Sequence, residues 1–116
     1  MALTGRWRIV EMDLFDAGDL DLRGPAFIEL RRDRTGSFQF LAVEGSMDCR
    51  AAKRDDRRGV DFSWEGTDEG DHASGRGWAF LNEDGSLVGH IFFHMGDDTG
   101  LVGHPIERQP TRSASA

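Results

Sequence analysis

The chain has no tyrosine, one cysteine (Cys49) and three prolines in 116 residues. A lone cysteine excludes an internal disulfide, so the fold must be held by its core. Bases are scarce as well: 14 Lys and Arg face 21 Asp and Glu, a formal net charge of −7. Neutralising phosphates takes continuous positive charge, so no nucleic-acid partner is expected. No apolar run reaches the roughly 18 residues of a membrane span, and no basic-then-apolar leader follows Met1. The expectation is therefore no membrane, no export and a cytoplasmic location of the bacterial type. No cofactor is implied by any stretch, and no oligomeric state.

What the chain does have is aromatic bulk and glycine. Three Trp, eight Phe and 15 Gly accompany an apolar content of 38%, enough for one globular domain. A chain of this size buries about two thirds of its unfolded surface. The glycines edge short apolar runs spaced by roughly 8–12 residues, the pattern of an all-β meander. Strands are expected at Gly5–Met12, Ala26–Arg31, Gly36–Val43, Ser46–Lys53, Gly59–Gly66, Gly75–Leu81, Ser86–Met95 and, more weakly, Gly100–Glu107. Helical periodicity is missing except in "DLFDAGDLDLRGP", where one short turn could start at Asp16. The barrel domain takes residues 1–108, and the small polar tail 109–116 is expected to be disordered.

Turn chemistry sets register, and register sets which side chains face inward. A three-residue turn at Asp33–Thr35 puts Ile28, Leu30, Phe38 and Phe40 on one face. A four-residue turn at Arg54–Arg57 puts Met47, Cys49 and Ala51 with Val60, Phe62 and Trp64. An even-numbered turn within "NEDG" places Arg76, Trp78 and Phe80 with Gly89, Ile91 and Phe93, leaving His90, Phe92 and His94 on the other face. Pairing Trp64 with Trp78 stacks both indoles in one cross-strand group. No long amphipathic helix is present to cover so apolar a face. Curling the sheet on itself covers it and removes the open edges. The expected fold is an eight-stranded up-and-down antiparallel barrel; a two-sheet β-sandwich is the runner-up. Its weakest joint is the last strand, where Pro105 lacks a backbone donor.

"LTGRW" at Leu3–Trp7 resembles the Gly-x-Trp opening of the calycin barrels, which include lipocalins, fatty-acid-binding proteins and avidins. The resemblance implies that Trp7 closes one barrel end. "GPAFIEL", "FSWEG", "SGRGWA" and "HIFFHMGDD" look like a family of small, uncharacterised bacterial proteins, which implies no activity. An eight-stranded interior either fills with side chains or holds one small ligand. The inward Trp and Phe side chains favour a filled one.

Charge is expected to separate along the barrel axis, because successive loops alternate between its ends. Loops two, four and six ("RRDRT", "KRDDRR", "NEDG") carry seven bases against five acids, a net of +2. Loops one, three, five and seven carry Asp13, Asp16, Asp19, Asp21, Glu44, Asp68, Glu69, Asp71, Asp97 and Asp98 against Arg23 alone, a net of −9. Such a rim steers cations or basic partners. The segment Asp13–Pro25 is long for a hairpin loop, and its Leu14, Phe15, Leu20 and Leu22 suggest a lid or a plug over that mouth.

The densest donor group is Asp68, Glu69, Asp71 and His72. It lacks the alternate acids, central glycine and downstream glutamate of a calcium loop, so a solvated hairpin is the expectation and no metal site is assigned. His90 and His94 would suit zinc on a helix, but on a strand they lie about 13 Å apart. Arg76, placed beside Trp64 and Trp78, is expected to stack on them and pair with Asp68, or else to anchor an anionic ligand. Asp48 and Arg50 read as a surface ion pair, Cys49 as an inert core thiol and Glu65 as an exposed carboxylate. No catalytic residue is assigned. The expected function is a non-enzymatic binding module. Its acidic end, with Trp64, Asp68, Glu69, Asp71, His72, Arg76, Trp78, Asp97 and Asp98, takes a basic protein surface or another cationic partner. The alternatives are a small-ligand binder with a lid and, third, an enzyme using Arg76 with rim carboxylates.

Overall fold

The structure, a computed structural model, describes residues 2–106. It contains β1 (Gly5–Met12), β2 (Phe27–Leu30), β3 (Thr35–Phe40), β4 (Val43–Arg54), β5 (Arg57–Asp68), β6 (Asp71–Leu81), β7 (Leu87–Phe93) and β8 (Asp98–Pro105). Each strand runs antiparallel to the next, and β8 closes on β1, giving a closed up-and-down barrel. This is the expected fold. Pro105 does not prevent closure: it ends β8 opposite Trp7, and the β1–β8 pairing carries one register shift, between Ile9 and Glu11. The one helical piece among the described residues is a single 3-10 turn, Ala17–Asp19, with Asp16 as its N-cap. The expected tail, 109–116, lies outside the described residues.

Alternation explains why the strands form. In β4, Val43, Gly45, Met47 and Cys49 are buried while Glu44, Ser46, Asp48 and Arg50 are exposed. Two-sided patterning of this kind locks register, since a one-residue slip would turn the whole apolar set to water. The β4–β5 turn is Asp55–Asp56, with φ of 50° and 66°, the left-handed pair that matches strand twist in a two-residue hairpin. It pairs Met47 with Trp64, Cys49 with Phe62 and Ala51 with Val60, all as the sequence leads one to expect. Ile28 pairs with Phe38, again on the inner face.

The sixth strand corrects the sequence reading. The β5–β6 turn is Glu69–Gly70, which pairs Trp64 with Gly75 and Phe62 with Gly77. The β6–β7 loop has an odd length, Asn82–Ser86, so Leu81 meets Leu87 and Trp78 meets His90. Arg76 and Trp78 therefore stand on the outer wall, not beside Trp64. The cause is steric as well as topological. Phe62 and Trp64 fill the space over β6, and a Cβ at Gly77 would lie 2.5 Å from the Phe62 ring. Glycine takes the inward positions because only glycine fits beneath those rings. Phe80 also lies outside the core cluster, yet it is buried: it packs on Gly59 under the Arg54 guanidinium.

Inside, Phe38, Phe40, Trp64 and Phe93 form a linked aromatic group with centroid separations from 5.1 to 6.4 Å. Trp7 is 2% exposed, and its Nε1 donates to the Leu3 carbonyl at 3.0 Å, near the barrel end away from the first loop. Cys49 points into this core, where burial pushes its thiol pKa up, away from reactivity. No helix among the described residues is long and apolar enough to cross a membrane.

Candidate functional site

The β1–β2, β3–β4, β5–β6 and β7–β8 connections meet at one end of the barrel. The first is anchored at several points. Leu20 is 1% exposed, and its carbonyl accepts from Leu41 N at 2.8 Å. Phe15 packs on Phe40 with centroids 6.0 Å apart. Asp13 accepts from Gly100 N, and Asp21 accepts from Ala26 N while pairing with Arg8. Half of the segment is thus a plug. The other half is not: Leu14 is 50% and Leu22 68% exposed.

Between these anchors lies a recess of about 560 Å³. Its apolar walls are Leu14, Phe15, Leu22, Leu41, Ala42, Val43 and Phe93, and its polar edge is Asp68, Glu69, His94 and Asp97. Residues from all four connections line it, so the Asp68 bend and the Asp97 bend share one pole. The β3–β4 turn, Leu41–Ala42, comes earlier in the chain than the expected strand bounds Gly36–Val43 and Ser46–Lys53 place it; Glu44 and Gly45 belong to β4, with Gly45 beneath the Phe38 ring. Leu41 and Met95 are the residues missed by sequence reasoning. The unbroken apolar run Phe40–Val43, which departs from alternation, is the signal that could have found Leu41. Met95, 94% exposed at the adjoining β7–β8 bend, gives no such signal.

Charge at this pole divides into two sets. Asp21 pairs with Arg8, Glu44 with Arg23 at 3.7 Å, and Asp98 with His90. Asp16, Asp19, Asp68, Glu69, Asp71 and Asp97 have no ion pair among the described residues. At the opposite pole the turns close on themselves. Asp33 accepts from Thr35 N and Oγ1, and Asp84 accepts from Ser86 N and Oγ. Those hydroxyl and amide donors hold both carboxyls below the usual range.

The expected site residues are only partly brought together. Asp68, Glu69 and Asp97 edge the recess. Asp71 opens β6 opposite Asp68. His72 lies on the outer wall, 3.0 Å from Glu65, both well exposed. Trp64 is 3% exposed in the core and cannot touch a bound partner. Trp78 and Arg76 belong to an outer-wall stripe that the sequence reading did not contain: Arg54 covers Phe80 and Trp78, Trp78 stacks on His90, His90 meets Phe92, and Arg76 covers Phe92 at 4.4 Å. Phe92 thus faces Arg76, and His90 is held between two rings and Asp98. Asp48 and Arg50 form a surface ion pair. No group of three or more His, Cys, Asp or Glu arranged to hold a metal occurs among the described residues.

Comparison with family models, with curated proteins and with solved structures gives no match.

Proposed function

We propose that the protein is a non-enzymatic, cytosolic binding module of calycin-type barrel architecture whose acidic mouth takes the basic surface of a protein partner. The observation that carries this reading is the set of carboxylates around the recess, Asp68, Glu69 and Asp97, which have no ion pair among the described residues, while Asp21 and Glu44 nearby pair with arginines and Asp98 meets His90. Gathering like charge at one pole costs self-repulsion, which a cationic surface relieves. The Gly-x-Trp opening at Gly5–Trp7, with Trp7 buried, supports the calycin-type assignment.

The test is titration of the full chain with a lysine-rich peptide at increasing ionic strength. Binding is expected to weaken steeply with salt and to fall at least tenfold in the triple variant Asp68→Asn, Glu69→Gln, Asp97→Asn. Affinity indifferent to both overturns the proposal.

A small-ligand reading draws on one observation, a recess within the roughly 300–1,000 Å³ typical of ligand pockets. The anchoring of Leu20 and Phe15 counts against a freely opening lid. Saturable, salt-indifferent binding of a neutral apolar dye, measured by the dye's own fluorescence and accompanied by no affinity for the peptide, favours the small ligand.

A further inference from the structure

Resting on the acidic-mouth reading, we infer that the recess receives a bulky apolar side chain of the partner, so that the recognised segment is amphipathic: a large apolar residue flanked by lysine or arginine. The floor of the recess is hydrocarbon and its edge is anionic, and a segment lacking either feature leaves half of the site unmatched. Phe15, Leu41, Val43 and Phe93 are buried or half-buried in the recess, whereas Asp68, Glu69 and Asp97 at its edge are exposed. Exposed Leu14 and Leu22 extend that apolar surface outward, beyond what plugging the barrel requires.

Backbone geometry supports the same conclusion. Two bulky apolar residues of the described chain hold positive φ, Leu41 at 51° and Met95 at 57°. Both sit at this mouth. The left-handed region disfavours such side chains, and a glycine or asparagine in either turn would avoid the strain. At the opposite pole, the positive-φ residues other than glycine are Arg34, Asp55 and Asp56, which are polar; at the mouth itself the third such residue is Glu69 at 53°. Strain retained for an apolar side chain at a rim marks a place where that side chain has a use. A flexible thioether such as Met95 suits contact with varied apolar partners.

Charge selects the class of occupant. Fatty acids, phospholipid headgroups and nucleic acids bring negative charge to an edge that, among the described residues lining the recess, has three carboxylates and no Lys or Arg. A basic peptide segment brings the complementary sign. The recess has room for one or two large side chains and none for a helix lying within it, so the segment docks from outside and inserts a residue.

The experiment compares three 12-residue peptides against the full chain by calorimetry: lysine-rich with a central leucine, the same with alanine, and the leucine peptide with glutamine for lysine. The expected result is at least tenfold tighter binding of the first than of either other. Leu22→Ser and Met95→Ser, both at highly exposed positions, are expected to bring the leucine peptide toward the alanine peptide's affinity while leaving the alanine peptide unchanged. Equal affinity for the leucine and alanine peptides, with the carboxylate triple variant still losing both, overturns this inference and leaves the acidic-mouth reading standing. No binding of either lysine peptide overturns both. Dodecylammonium binding more tightly than the leucine peptide overturns the peptide partner in favour of a small cationic amphiphile.

Discussion

The indole Nε1 of Trp64, on β5, donates to the carbonyl of Phe92, on β7, at 3.2 Å, across the intervening strand at Gly75. A side chain at position 75 would block that path: a Cβ there would lie 1.7 Å from the Phe92 oxygen and 2.9 Å from the Trp64 nitrogen. Three strands are thereby tied by one hydrogen bond that depends on an absent methyl group. Gly75→Ala is expected to destabilise the barrel by about 3 kcal/mol or more, because backbone has to move. Trp64→Phe keeps an aromatic ring but removes the donor, at about 1–2 kcal/mol. Urea unfolding of the two variants measures both, and a Gly75→Ala cost below that of Trp64→Phe contradicts this account.

The same glycine explains how far the fold could be read from the sequence. Where inward positions carry apolar side chains, as in Met47, Cys49, Phe62 and Trp64, alternation states the register, and the β4–β5 pairing follows from it. In β6 the inward residues include Gly75, Gly77 and Ala79, which give almost no hydrophobic signal. The prominent residues, Arg76, Trp78 and Phe80, are on the outer wall and imitate a core face. An odd loop at Asn82–Ser86 in place of an even one then reverses every facing in that strand. The acidic pole survived the error because loop order depends on alternation of strands, not on their register. Its apolar recess did not show, since Leu14 and Phe15 come from the first connection, Leu41 from the third and Phe93 from the end of β7, and they meet only when the barrel closes.

The opposite pole makes a pH-dependent contribution whose sign follows from its turns. Asp84 receives the Ser86 hydroxyl at 2.6 Å and the Ser86 amide at 2.9 Å, and its pKa is lowered, first by the hydroxyl and then by the amide. A carboxyl whose folded pKa is depressed contributes stability above its unfolded pKa, about 3.9 for aspartate, and that contribution is lost as pH falls through the folded value. Ser86→Ala is therefore expected to raise the Asp84 titration midpoint toward the ordinary range and to leave the equivalent Asp33–Thr35 turn unchanged. Carboxyl NMR titration of both residues checks this. An unmoved Asp84 midpoint contradicts it.

The outer stripe predicts a different kind of loss. Arg54 lies 4.7 Å from the Phe80 centroid and 5.0 Å from that of Trp78, and it also reaches Asp61 at 3.5 Å. Its ion pair is half exposed and screened, so stacking is the larger part of its contribution. Arg54→Ala is expected to cost about 0.5–1 kcal/mol and to shift Trp78 fluorescence toward that of a more solvated indole. Arg54→Lys keeps the charge but not the planar cover, and should recover little of the loss. Full recovery by lysine would make the ion pair, not the stack, the stabilising contact.

Met95 sets stability against binding in a single side chain. It holds φ of 57° while 94% exposed, so its strain is not offset by burial in the described structure. A non-glycine residue in the left-handed region costs about 1–2 kcal/mol, and glycine returns roughly 0.5–1 kcal/mol of that through the greater freedom of its unfolded chain. Met95→Gly is thus expected to stabilise the protein by about 0.5–1 kcal/mol, a rise of a few degrees in thermal midpoint. If the mouth grips an apolar residue of its partner, the same change should weaken the leucine-bearing basic peptide severalfold. Thermal unfolding and peptide titration on one sample separate the outcomes. A variant that is both more stable and equally good at binding removes Met95 from the interface, while one that is less stable shows that the backbone there is held by contacts the side chain itself provides.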